Sequence, residues 1–305
     1  MSQIGEKSVL ETCKELFAGN DEMMQTLQVR RSIRTYDDVP LRQGDIELIK
    51  KYLSSEELLT GPFGRKFRIE FLDKGPMKNN ASIGTYGYLK NPPAFLVAMA
   101  ENDKYTLFEC AYVFHGLVLF LTYKGLATCW LGGIFNQDDV RATTYVAPDE
   151  IVPAISPVGY SGKSFHLFGK LAGVVLKPKN RKPVEQIAFF GTFDKPFTDQ
   201  QSIFYDTIHI GTLAPNSQNK QSWRIVVSED QTRMHMYVKH TLKKQVHDGF
   251  RGYACPPEYL DIAIFYRQFE IAMNNKGRKG TLEIADPELK LPESDWEYII
   301  TWKMK

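Results

Sequence analysis

The chain lacks the cysteine patterns that would point to metal or disulfide chemistry. Its four cysteines, Cys13, Cys110, Cys129 and Cys255, lie far apart and include no CxxC. A disulfide framework or a zinc site therefore has no support, and a reducing compartment, the cytoplasm, is the expected setting. An excess of one charge is missing too. The 305 residues carry a formal net charge of +2, with both signs interspersed, so neither nucleic acid nor a membrane is expected as a partner. The longest apolar stretch, Val113 to Phe135, is broken by His115, Lys124 and several glycines. It reads as a buried helix followed by a strand or turn, not as a membrane span. The first twenty residues are too polar for a signal peptide. No GxGxxG follows a strand, so a separate Rossmann site has no support. The six histidines show no ligand spacing with other His, Cys or carboxylates, and no metal is expected.

Hydrophobic residues make up 43% of the chain and charged residues 24%, which suits one large globular domain or two ordinary ones. Helical spacing of Leu10, Cys13 and Phe17 predicts a helix over 6–17, within an N-terminal extension of residues 1–20. Further helices are predicted over 21–28 and 43–55. Residues 67–73 alternate like a strand, with Phe67, Ile69 and Phe71 on one side. "PPAFLVAMA" is a buried strand, and a long apolar helix stops at Gly125. A second set begins near residue 200, with "SWRIVVSED", "HMYVKH", a helix over 257–277 and a closing "WEYIITWK".

The two sets echo each other. "KFRIEFLD" at 66–73 matches "SWRIVVSE" at 222–229, an offset of 222 − 66 = 156. The long helices end at Lys124-Gly125 and Lys276-Gly277, an offset of 276 − 124 = 152, which places Glu109 opposite Asp261. Nearly equal offsets predict a diverged internal duplication, with a first half over 21–200 and a second over 201–305 forming one unit.

Four stretches carry candidate chemistry. "RRSIR" gathers Arg30, Arg31, Ser32 and Arg34, which fits either a solvated basic face or an anion held by guanidinium forks. "TLAPNSQNKQSWRIVV" at 212–227 is a turn before a strand, where Asn219 and Gln221 serve either as turn chemistry or as amides for a ligand. In "GLATCWLGGIF", Gly132 and Gly133 allow close backbone approach to a flat ligand, or form a plain loop. "KPKNRKPVEQI" brings Lys179, Arg181 and Lys182 together.

With "PVGYSGK", these stretches together resemble the nitroreductase superfamily of FMN-dependent oxidoreductases over about residues 21 to 302. The Asn/Gln turn follows the Gly-Gly motif here, whereas most of the superfamily has it before. That order is similar to the less common branch of the Thermotoga type, where one chain supplies both halves of the usual dimer. The resemblance implies an α+β nitroreductase-like fold, two diverged halves with mixed, mainly antiparallel sheets flanked by helices. It also implies one FMN per chain, because the first half has Phe63 where the second has Asn219, and the second half has no glycine pair and no Arg-Arg-Ser-x-Arg.

By position in the family, Arg30, Ser32 and Arg31 meet the FMN phosphate and ribityl end, and Arg34 lies near N1 and O2 of the ring. Lys179 and Arg181 close over the phosphate. Trp130, Leu131, Gly132 and Gly133 line the ring. Pro215, Asn216, Ser217 and Asn219 face its edge, with Gln221 supporting the turn. Asn216 and Ser222 depart from the serine and proline usual there, and "GYSGK" replaces Gly-Tyr-Pro.

The implied activity is ping-pong hydride transfer from NADH or NADPH through FMN to a flat electrophile such as a nitroaromatic or quinone. No side-chain acid or base is expected, since the flavin carries the chemistry. Tyr86 and Tyr88, in the Gly- and Tyr-rich stretch 79–93, fit substrate stacking or ordinary loop roles. The alternative reading is a flavin-binding storage or sensing protein without turnover. A chain that already contains its own dimer-like interface is expected to be monomeric, with further association left open.

Overall fold

The computed structural model describes residues 7–73, 83–161, 180–240 and 254–305. Helix α1 (Val9–Phe17) opens with a capping box. The Ser8 hydroxyl accepts from the Glu11 N–H, and the Glu11 carboxylate accepts from the Ser8 N–H. Two donors that no helical carbonyl can reach are thereby satisfied. Asn20 caps α2 (Asp21–Val29), and α3 (Gln43–Leu53) follows. Residues 7–20 are no loose appendage. Cys13 and Leu16 are buried in the main core, and the Asn274 and Asn275 amides donate to the Phe17 and Gly19 carbonyls at 3.0 and 2.6 Å.

The first half continues with β1 (Arg68–Asp73), β2 (Ala94–Glu101), α4 (Lys104–Tyr123), β3 (Ala127–Thr128), α5 (Gln137–Thr143) and β4 (Glu150–Gly159). Then come β5 (Ala188–Phe190), α6 (Ile203–Thr212), β6 (Trp223–Val227), β7 (Arg233–Lys239), α7 (Pro257–Asn275), β8 (Gly280–Glu283) and β9 (Trp296–Met304). Helix α4 is long and apolar enough to cross a membrane, yet 89% of its most apolar window is buried inside the fold. It is a core helix that is hydrophobic all round.

Two sheets flank these helices, ordered β1-β2-β4-β3 and β5-β6-β7-β9-β8. Every pairing is antiparallel except β5 with β6. Apart from β5 and α5, the orders are the same: α3-β1-β2-α4-β3-β4 corresponds to α6-β6-β7-α7-β8-β9. The duplication read from two offsets is thus visible as repeated topology. Strand β5 crosses the boundary. It lies in the sequence of the first half but pairs in parallel with β6, Ala188 opposite Ile225 and Phe190 opposite Val227.

Helices α4 and α7 pack against each other at the centre, burying a polar cluster. The Glu270 carboxylate accepts from Tyr112 at 2.7 Å, Tyr266 at 2.9 Å and Arg267 at 2.7 Å. The Arg267 guanidinium lies 4.2 Å from the centroids of both the Phe17 and Tyr112 rings. Aromatic faces and one carboxylate replace its lost water.

A second polar cluster joins the helix starts to β9. Glu297 accepts from Lys104 at 2.9 Å, Tyr259 at 3.0 Å and His240 Nε2 at 2.8 Å. Pairing with Glu258 and Glu297 lifts His240 to about 9. Burial works against Glu297, but its three donors prevail and hold it at about 2. Because the folded value of His240 is raised, its stabilisation is complete below the unfolded value near 6.5 and is lost as pH rises through about 9. H240Q is expected to lower the thermal midpoint at pH 6 and leave it close to wild type at pH 10. Equal losses at both values would contradict this.

Candidate functional site

Residues 30–36 run extended between two partners. The Ile33 N–H donates to Thr128 O at 2.9 Å, and Ser32 bridges Thr128 in parallel. On the other side the Lys90 N–H donates to Arg34 O at 2.8 Å, and the Tyr36 N–H to Lys90 O at 3.0 Å. An extended chain turns alternate side chains to one face. Accordingly Arg34, Arg30 and Ser32 all act on the Cys129 thiol, opposing the upward shift that burial gives it.

Arg30 is only 5% exposed, and its Nε has no hydrogen-bond partner among the described residues. Arg31 donates to Gln28 O at 2.7 Å and Arg30 O at 2.8 Å. Arg181 brings a third guanidinium from far along the chain, and its buried Nε also has no partner among the described residues. Burial, then repulsion by Arg181 and Arg31, pulls Arg30 down to about 9. Burial and Arg31 lower Arg181 to about 10, against the pull of Asp261. Among the described residues no carboxylate acts on Arg30, and only Asp261 acts on Arg181. Buried, mutually repelling guanidiniums with spare N–H groups match a doubly charged oxyanion such as a phosphate monoester.

The second half locks onto this cluster through its turn. Arg181 donates to Asn219 Oδ1 at 2.7 Å, Ala214 O at 2.9 Å and Leu213 O at 3.3 Å. Pro215 is buried, and Asn216 is extended. The next residues, Ser217 to Asn219, form one 3₁₀ turn in which Gln218 (φ 49°) and Asn219 (φ 56°) are left-handed. The amides work locally. Asn216 Oδ1 accepts from the Gln221 N–H at 2.9 Å, Gln221 Oε1 accepts from the Lys182 N–H at 2.8 Å, and Asn219 Nδ2 donates to Asn180 O at 3.2 Å. The turn and the Arg181 loop therefore brace each other.

The Ser217 N–H donates to both Asp261 carboxylate oxygens, at 3.0 Å each. The first half repeats the device: the Phe63 N–H donates to Glu109 Oε1 at 2.8 Å. By this role Phe63 corresponds to Ser217, not to Asn219 as the strand offset implied. The offset at the turn is 217 − 63 = 154, so the second half has gained two residues before its strand.

The ring-lining candidates sit beside Thr128. Trp130 is half-buried, edge-on to Phe114 at 4.8 Å between centroids. Leu131 exchanges two 2.9 Å hydrogen bonds with Ile155. Gly132 and Gly133 form the bend that follows. The Arg34 guanidinium lies 4.8 Å from the Tyr88 centroid, so one face of Tyr88 is already engaged. Tyr86 precedes it in the same loop, left-handed at φ 49°. Lys179 lies outside the described residues.

The sequence reading gave no role to Asp261, Glu109 or Cys129. For the two carboxylates the signal was present, since the repeat had already aligned them.

An α+β fold of two like halves thus brings Arg30, Arg31 and Arg181 together, with the turn of the second half bonded to Arg181. A family described as "Putative TM nitroreductase" matches residues 22–248, and the chain belongs to that family. Among solved structures, one described as a "putative nitroreductase" from Thermotoga maritima aligns over 100% of this chain and 99% of its own, at 16% identity and a TM-score of 0.54; this shows a shared fold. An FMN-dependent nitroreductase from Clostridium difficile R20291 aligns over 46% of this chain and 88% of its own, at 24% identity and TM-score 0.36. A nitroreductase with bound FMN from Bacteroides fragilis NCTC 9343 aligns over 53% and 96%, at 20% identity and TM-score 0.38. No curated protein matches the chain.

Proposed function

We propose that this chain is an FMN-dependent oxidoreductase that uses NADH or NADPH in ping-pong fashion to reduce a flat electrophile such as a nitroaromatic or quinone. The observation that carries it is the cluster of Arg30, Arg31 and Arg181, in which the Nε atoms of Arg30 and Arg181 are buried with no hydrogen-bond partner among the described residues, in a member of a nitroreductase family. FMN, when bound, supplies a ring that accepts and returns a hydride at N5.

The chain's own residues bind and tune. On this reading Arg30 and Arg181 hold the phosphate, with Arg31 and Ser32 beside them. Arg34 is a fixed cation toward N1 and O2, where positive charge favours an electron-rich ring. Tyr88 limits the freedom of Arg34 by packing against its guanidinium. Trp130, Leu131, Gly132 and Gly133 line one side, and Pro215, Asn216, Ser217 and Asn219 the other, while Gln221 braces the turn. A pocket made from both halves of one chain needs no second copy.

The test is the flavin content of the purified chain, followed by anaerobic addition of NADH or NADPH. One FMN per chain, bleached by either nucleotide, is the expected result. Two per chain would mean that the degenerate second site still binds. No flavin, even with excess FMN, would remove the proposal, and bound flavin that neither nucleotide bleaches would remove the enzymatic part of it.

A further inference from the structure

We propose that Asp261 is a positioning residue of the flavin site, acting through the Ser217 backbone to set the turn that grips Arg181. The inference rests on the flavin reading above and deepens it.

Three observations carry it. First, Asp261 is only 5% exposed on α7, and both its oxygens accept from one backbone N–H, that of Ser217. A buried carboxylate given over to a single main-chain donor fixes that donor's direction. Second, the turn it holds needs holding. Gln218 and Asn219 are consecutive left-handed residues, neither of them glycine. Such conformations cost on the order of 1 kcal/mol each and persist only where the surroundings enforce them. Asn219 then puts its Oδ1 on Arg181 at 2.7 Å, so the link from Asp261 to the cationic cluster is short: Ser217, the left-handed pair, Asn219, Arg181.

Third, the molecule contains its own control. Glu109 makes the equivalent bond to the Phe63 N–H and is equally buried, at 2%. The fit there is close: a Cβ on Gly61 would stand 2.5 Å from Glu109 Oε1. That turn carries Gly64 and Arg65 in place of Gln218 and Asn219, and among the described residues Arg181 donates only to the second half. The same device is thus present twice, once behind the guanidinium cluster and once away from it.

The test uses the full chain and measures FMN dissociation constants by fluorescence titration, alongside thermal midpoints of the flavin-free protein. D261A is expected to weaken FMN by about tenfold or more. D261L fills the same buried space without an acceptor and is expected to do the same, so the result does not hang on one variant folding. D261N keeps an acceptor oxygen and should restore affinity to within about threefold of wild type. E109A should lower the thermal midpoint as much as D261A yet leave FMN affinity within about threefold. The inference is overturned if D261A and D261L bind FMN like wild type, or if E109A weakens FMN as much as they do. A wild-type chain that binds no FMN would instead remove the flavin reading itself, and this inference with it.

Discussion

Replacing Arg30 with methionine is expected to weaken FMN binding by about 100-fold or more while making the flavin-free protein more stable. The loss follows from charge-assisted hydrogen bonds, each worth about 1.5–3 kcal/mol when the partner is a phosphate. The gain follows from the environment of Arg30. Its guanidinium is 5% exposed, faces Arg181 and Arg31, and has no described carboxylate acting on it. Its folded value of about 9 lies well below the ordinary guanidinium range. The penalty is therefore present in full below pH 9 and is relieved only as pH climbs from there toward that range. At neutral pH the unliganded protein carries the whole cost, and an apolar side chain of similar length removes it. Buried charges replaced in this way commonly yield about 1–4 kcal/mol. Calorimetry of the flavin-free proteins should show R30M melting higher than wild type, and inorganic phosphate should stabilise wild type but not R30M. An R30M protein that binds FMN normally would assign the phosphate to other residues.

The second large effect is structural. Glu270→Ala is expected to cost about 3–5 kcal/mol and to lower the thermal midpoint by about 10 °C. The carboxylate has three partners, Tyr112, Tyr266 and Arg267, and Arg267 keeps only 11% of its side chain exposed. Removing Glu270 leaves that guanidinium buried with no carboxylate in hydrogen-bond reach. Since Tyr112 is on α4 and Arg267 on α7, the damage falls where the halves meet. FMN binding should weaken in proportion to the loss of folded protein and no further. A midpoint within 2 °C or so of wild type would show that water reaches Arg267 and replaces the carboxylate.

Long periodic segments were legible in the sequence. Helices α2, α3, α4 and α7 and strands β1, β2, β6, β7 and β9 fall where spacing placed them, within a few residues. What was not legible has specific causes. Strand β4 carries Pro153 and Pro157, which read as breakers. The ladder shifts register between Ala98 and Ala100, opposite the stretch that holds Pro153, and Pro157 pairs with Phe95, so a bulge accommodates the first proline. Helix α5 has 7 residues, too few for a period, and β5 and β8 are only 3 and 4 residues long. These short pieces exist because a neighbour offers them a ladder. The site divides similarly. Arg30, Arg181 and the 215–221 turn could be named from residue type and order. The repeat aligns Asp261 with Glu109, but the partner of Asp261 could not be named, because the Ser217 N–H is a backbone atom and Ser217 and Phe63 share no side-chain type.

Strand β5 has a consequence in time. It joins the second sheet through β6, and Arg181, just ahead of it, donates its hydrogen bonds to residues 213, 214 and 219. The cationic pocket therefore cannot close when residues 30–34 leave the ribosome. It waits for roughly 200 more residues, about 10–40 s at ordinary rates of synthesis. Throughout that interval Arg30 has no phosphate to neutralise it and no reason to be buried. The time at which the cluster can assemble is thus set by where a three-residue strand was placed in the chain.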